Sequence, residues 1–290
     1  MRIPESELII NGDGSVFHLH IKPEQLADKV VLVGDPGRVA FFEDHFDSIE
    51  CRGASREFVW ITGIYKGARM TVLSTGIGTD NIDIVMTELD ALANVDFETR
   101  EEKASHKTLT VVRLGTCGAV QPDIPLGSFV LSHYSIGFDG LLNWYANRDR
   151  ITDREMETSF VKHMSWPDEL PRPYFVKASE KLIDAFSAST VKGMTISSPG
   201  FYGPQGRVVR QGLAMKNMIG DIESFRYGDW KITNFEMESS AIAGFAKQLG
   251  HEAITVCCAI ANRYLKDVNT DYKPKVKELI VLVLDVLSTL

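Results

Sequence analysis

The sequence predicts one α/β domain with a mixed, mainly parallel central sheet flanked by helices, and three observations carry that expectation. Short apolar runs, such as KVVLV at residues 29–33, alternate with stretches of helical spacing. Several of these runs are apolar throughout instead of alternating, as strands covered on both faces are. Glycine-rich loops follow them, in the place where ligands of such sheets bind. The 290 residues suffice for one large core, so the whole of 1–290 is read as a single domain.

The elements follow in order. Residues 29–33 form a strand that ends in Gly34-Asp35-Pro36-Gly37-Arg38, and residues 39–46 have helical spacing. Residues 58–65 and 69–73 make a hairpin turning at Lys66-Gly67. After STGIGTDN, residues 82–93 form an amphipathic helix. Residues 97–107 are charged and poor in apolar side chains, which marks a surface insertion. Residues 109–114 make a strand, apolar apart from Arg113, that leads into Gly115-Thr116-Cys117-Gly118 as a loop. Another strand covers 128–136. Residues 137–173 are irregular, with 141–173 a second surface insertion. A helix at 177–189, a strand at 193–197 and the loop SSPGFYGPQGRVVR follow. The chain then gives a helix at 236–249, a buried strand at 253–261 and a helix at 273–290.

A net charge of −8 gives no general attraction to nucleic acid or to an anionic membrane. No basic segment followed by an apolar run opens the chain, and no stretch is long enough to span a bilayer, so a cytoplasmic location is expected. Four cysteines without CxxC spacing suit a reducing compartment and argue against a zinc site.

Three loops place arginine beside small residues. In GDPGR the glycines can turn backbone N–H groups toward an anion and Arg38 can add a planar charged fork; an ordinary strand-to-helix turn is the plain alternative. Arg113 in an apolar strand needs an anionic partner, either a ligand, which is favoured, or a structural carboxylate. Arg56 in SREF reads by itself as a solvated strand edge. None of these loops is a Walker A loop, and none matches the dinucleotide fingerprint, which disfavours hydride transfer. In NFEMES, Glu236 and Glu238 lie two apart at a helix start, so their side chains should face different ways and serve the helix dipole. Gln205 and Arg207 together could read a planar group carrying carbonyl oxygens and an N–H.

Taken together, VFHL (16–19), GDPGR (34–38), SREF (55–58), STGIG (74–78), RLGTCGAVQ (113–121), FYGPQGR (201–207), FEMES (235–239) and AIANR (259–263) resemble the uridine phosphorylases of the nucleoside phosphorylase family, in the family's order. The resemblance implies a nucleoside phosphorylase-like fold and phosphorolysis of uridine to uracil and ribose 1-phosphate. It implies phosphate binding by Gly34, Arg38, Arg113 and Thr116, with Arg56 of the partner subunit. Ribose would meet Glu238, the backbone of Met237, Thr116 with Arg113, and the partner's His18. The base would lie near Gly118, Phe201 and Phe235, with Gln205 and Arg207 at the uracil edge. Inorganic phosphate would be the co-substrate, with no divalent metal and no catalytic general acid. A monovalent cation at a dimer interface would fall at Glu57, Ile77 and Asn81. A dimer would be the minimal active unit, usually built into a hexamer.

Purine-cleaving relatives carry an aspartic acid where this chain has Asn262, and asparagine cannot protonate a leaving purine. The departures are GPQGR in place of PGQ-x-R, Thr79-Asp80 in place of Gly-Pro, and Asn81 in place of serine. The rival readings are a purine phosphorylase or nucleosidase of the same fold and a non-catalytic nucleoside-binding protein.

Overall fold

The computed structural model describes all of residues 1–290. Its first half runs β1 (Lys29–Val33), α1 (Pro36–Glu43), β2 (Ser48–Ser55), β3 (Phe58–Tyr65), β4 (Ala68–Ser74), α2 (Thr79–Asn94), the two-residue β5 (Val95–Asp96) and β6 (Glu101–Glu102), β7 (Thr110–Ala119) and β8 (Phe129–Gly137). The second half runs α3 (Arg154–Met164), β9 (Tyr174–Lys177), α4 (Glu180–Phe186), β10 (Val191–Ser197), α5 (Met218–Ser224), β11 (Arg226–Tyr227), β12 (Trp230–Glu236), α6 (Ser239–Leu249), β13 (Glu252–Asn262), β14 (Asp267–Val268) and α7 (Lys273–Thr289). No helix is long and apolar enough to cross a membrane.

The large sheet is mixed, with strand order β11-β12-β10-β8-β13-β7-β1-β4-β3-β2. Parallel ladders join β1 to β4 and β7, β13 to β7, and β10 to β8 and β12. A further antiparallel contact sets Asn234 against Ala119 and Phe235 against Gly118, joining β12 back to β7. Strands β7, β13, β8, β10 and β12 therefore close into a ring, from which β1, β4, β3 and β2 extend as an open sheet. Closure removes two edges and brings the carboxyl ends of β7 and β12 together.

Helices cover both faces. Ile82, Val85 and Leu89 of α2 and Ile242 and Phe245 of α6 pack on one side. Phe42 of α1, Leu182 and Phe186 of α4, and Leu279, Ile280 and Val283 of α7 pack on the other. A third cluster holds Phe160 of α3 and Ile222 of α5 against Met194, Ile196 and Ile232. His133 is buried beside it without a partner for either ring nitrogen, its ring 4.0 Å from that of Trp230.

Four local expectations are corrected. The strand read at 109–114 runs on through Ala119, so the Gly115–Gly118 segment is β-structure and no loop. Strand β2 went unread because it lies at the sheet's edge and its sequence is mostly polar, with only alternate residues such as Ile49 and Cys51 half-buried. Region 137–173 contains a regular helix, α3, capped by Asp153, whose carboxylate accepts from the N–H groups of Glu155 and Met156. Met156, Phe160 and Met164 form its buried stripe at four-residue intervals. The helix expected from Glu236 begins at Ser239, and Glu236 ends strand β12.

Residues 97–107 are exposed except for the half-buried Phe97 and for Arg100, whose guanidinium donates to the carbonyls of Ile3, Pro4 and Leu8 and fastens the N-terminal segment.

Candidate active site

The loop after β1 meets the loop after β4 at one wall of a cavity of about 1480 Å³. That is larger than the roughly 300–1,000 Å³ typical of a site for one drug-sized ligand. Asp35 caps α1 by accepting from Gly37 N–H at 2.9 Å, and Pro36 occupies the first turn, where no N–H is needed. Arg38, in the first turn, faces the cavity half-buried, and its guanidinium makes no ion pair or hydrogen bond within the chain. Burial, and then the neighbouring positive charge of Arg113, hold its guanidinium below the ordinary arginine value. A cation under both pressures is suited to receive an anion.

Arg113 rises from β7 and is 5% exposed. Its partners are protein carboxylates: Nη1 lies 3.2 Å from Glu236 Oε2, and Nη2 meets Glu238 Oε2. The expectation that Glu236 and Glu238 face apart is therefore overturned. They straddle the junction of β12 and α6, where the chain is not yet helical, and both carboxylates reach one guanidinium. Glu236 also accepts from Ser197 Oγ at 2.5 Å and from Ser239 N–H at 3.0 Å, while Gly78 N–H donates to Glu238 Oε1 at 2.8 Å. Burial raises the Glu238 carboxyl to about 7; Arg113 pulls it down, and Glu236 adds to the rise. Gly115 makes the arrangement possible, since a Cβ there would stand 2.1 Å from Arg113 Nη1. Thr116, Gly118, Phe235 and Met237 complete this side of the cavity.

The opposite wall is the loop after β10. Gln205 is 3% exposed, and its carboxamide oxygen accepts from Arg207 Nη1 at 2.5 Å. The Arg207 guanidinium also donates to Phe201 O and stacks 3.7 Å from the Phe201 ring centroid. Burial, then Arg263, pulls Arg207 down to about 10. With its oxygen occupied by Arg207, Gln205 has a defined amide orientation, which a surface loop would not give it.

Asn262 ends β13 and is 2% exposed. Its amide nitrogen donates to Gln121 O and Ile124 O, and its oxygen accepts from Tyr264 N–H and Leu265 N–H. Its polar groups thus hold the chain around it.

Fourteen of the sixteen residues singled out from the sequence line this one cavity: Gly34, Arg38, Glu57, Ile77, Asn81, Arg113, Thr116, Gly118, Phe201, Gln205, Arg207, Phe235, Met237 and Glu238. Asn81 donates to Glu57 Oε1 at 3.1 Å. His18 and Arg56 lie outside it. Arg56 is exposed in the turn between β2 and β3, and His18 bonds to Glu88 on α2. Two contributors escaped the sequence reading. Glu236 was assigned to the helix dipole, and Arg263, whose stem passes over Gly118, was not assigned at all. The adjacency of Arg263 to Asn262 in AIANR was the available signal.

The family described as the phosphorylase superfamily matches residues 28–285. A uridine phosphorylase of Thermococcus kodakarensis is 28% identical over 254 residues, which is 87% of this chain and 79% of that protein. A DeoD-type purine nucleoside phosphorylase of a Geobacillus species is 28% identical over 242 residues, 83% of each chain. The crystal structure of a Trypanosoma brucei nucleoside phosphorylase, described as showing uridine phosphorylase activity, superposes with a TM-score of 0.90 at 29% identity, over 98% of this chain and 100% of the other.

Proposed function

Because the chain belongs to the phosphorylase superfamily, we propose that it splits uridine with inorganic phosphate into uracil and ribose 1-phosphate. The observation that carries this reading is the Gln205–Arg207 pair beside an Asn262 whose polar groups are fully engaged. A carboxamide and a guanidinium fixed side by side match the carbonyl oxygens and N–H of a uracil edge. A purine leaving group would need an acid at its ring nitrogen, and Asn262 offers none.

Phosphate binds between Gly34, Arg38 and Thr116, with Arg113 flanking and Arg56 of the partner subunit closing the site. The ribose hydroxyls donate to Glu238, beside the Met237 backbone, and the partner's His18 meets the 5′-hydroxyl. As the C1′–N1 bond breaks, positive charge grows on the ribose ring. The phosphate oxygen below C1′ stabilises that charge and forms the new C1′–O bond. The electron pair of the broken bond leaves with the base, where Arg207 and Gln205 stabilise it until N1 takes a proton from solvent. The uracil ring rests against Phe201, Phe235 and Gly118. No step uses an enzyme general acid or a divalent metal.

This reading makes a dimer the minimal active unit, assembled further into a hexamer in the cytoplasm. The Glu57 carboxylate, the Asn81 amide oxygen and the Ile77 carbonyl make an all-oxygen donor set of the kind that hard cations accept, and a monovalent cation there would tie Glu57 to the start of α2. The reaction is tested by following uracil release from uridine with and without phosphate, with inosine in parallel. Phosphate-dependent uracil release with inosine untouched is expected. Inosine cleavage would refute the base assignment, and release without phosphate would refute phosphorolysis.

A further inference from the structure

Glu88 is the one carboxylate that faces the VFHL segment, and its hydrogen bonds decide which nitrogen of His18 can meet a ligand. It sits in α2, 7% exposed, and pairs with no lysine or arginine. Its oxygens accept from His18 N–H at 3.0 and 3.1 Å and from Leu19 N–H at 2.9 Å. Backbone N–H groups can only donate, so the carboxylate is held here as an acceptor. The same group lies 2.6 Å from His18 Nδ1, which must then carry a hydrogen. Phe17 packs edge-on against the imidazole with ring centroids 4.8 Å apart. The side chain remains 29% exposed, and no group of the chain bonds its Nε2.

We propose that Glu88 is a positioning residue that fixes the His18 tautomer, presenting Nε2 as a hydrogen-bond acceptor to the 5′-hydroxyl of a nucleoside in the partner's site, so that Glu88 sets the preference for 5′-hydroxylated over 5′-deoxy substrates. The proposal rests on the uridine reading above, and it adds a residue that never touches the substrate. A carboxylate that orients a histidine selects both ring rotation and tautomer. A site built to pair with a hydroxyl discriminates against the analogue lacking it.

Glu88→Gln tests this because it inverts the device without emptying it. The carboxamide oxygen can still accept from the His18 and Leu19 N–H groups, preserving the local fold, while its NH2 faces Nδ1. Nδ1 must then be the acceptor and Nε2 the donor. The 5′-hydroxyl would then have to turn and accept from Nε2–H in place of donating to Nε2, leaving its own hydrogen without that partner. The ratio of kcat/KM for uridine to that for 5′-deoxyuridine is therefore expected to fall about tenfold, through KM for uridine. In a His18→Ala background, Glu88→Gln should leave the ratio unchanged, because the two substitutions break one link. Nitrogen-detected NMR of the imidazole should show Nδ1 protonated in the wild type and Nε2 protonated in the variant. A wild-type ratio retained by Glu88→Gln, or an unchanged tautomer, overturns the proposal. If the wild type fails to split uridine, the reaction assignment fails, and the NMR result still decides the tautomer on its own.

Discussion

Gly115→Ala puts the clustered charges of the cavity to a steric test. Gly115 is not in the left-handed region, so alanine adopts its backbone without strain and the cost is contact alone. The added methyl would stand 2.1 Å from Arg113 Nη1 and 2.9 Å from Cys257 Sγ. Carbon contacts settle near 3.5 Å, so the guanidinium must retreat by more than about 1 Å. Arg113 cannot do so freely, because Glu236 and Glu238 hold it from the other side. Overpacking of this kind costs about 1–3 kcal/mol, which for a chain of this size lowers Tm by roughly 2–4 °C per kcal/mol. Misplacing a group by about 1 Å costs on the order of 10²-fold in rate. The assay is kcat/KM for phosphate-dependent uracil release, with Tm measured on the same preparations. Gly118→Ala is the internal comparison: its Cβ would lie 3.2 Å from the flexible stem of Arg263, so it should be much milder. Gly115→Ala with kcat/KM within about twofold of wild type would refute the claim that Arg113 is held in a fixed place.

Further outcomes follow from the same geometry. Arg207→Ala should raise KM for uridine about 10- to 100-fold, the worth of a charge-assisted hydrogen bond, with KM for phosphate nearly unchanged; equal loss of phosphate binding contradicts its place at the base. Asn262→Asp should not create inosine cleavage. It should destabilise the fold by about 2–4 kcal/mol in urea titrations, because a carboxylate would face the Gln121 and Ile124 carbonyls. Burial, then Lys177, lowers His133 from 6.5 to about 4, so the unfolded chain takes up its proton at a higher pH than the folded one. That stabilisation is complete above pH 6.5 and is lost as pH falls toward 4, about 3 kcal/mol in all. His133→Phe, which keeps the stack on Trp230, should flatten the stability profile in that window; an unaltered profile would show that His133 titrates normally.

Much of this was legible in the sequence because the site lies at strand ends, where local motifs and three-dimensional position coincide. The run KVVLV-GDPGR states in ten residues a strand, a turn and a helix start, and the structure repeats them. What escaped reading depends on distant partners. The face that Glu236 presents was misjudged because β12 displaces the helix start by three residues. The carboxylates that occupy Arg113 come from 123 and 125 positions downstream, a separation no local pattern records. Helix α3 hid its Met156–Phe160–Met164 stripe among charged neighbours, and β2 has only a half-buried face within a mostly polar sequence.

The closure of β12 onto β7 has a consequence for how such a molecule can change over time. Arg113, Thr116 and Gly118 lie on one strand of the seam and Phe235 and Glu236 on the other, so this wall of the cavity is fastened together by main-chain hydrogen bonds. Phe201, Gln205 and Arg207 belong instead to the connection between β10 and α5, outside the ring. Mutations can redraw that connection without disturbing the seam. The architecture sets a wall fixed by the seam beside one carried on a connecting segment, and on the reading proposed above a lineage can vary the contacts of Gln205 and Arg207 while the seam stays still.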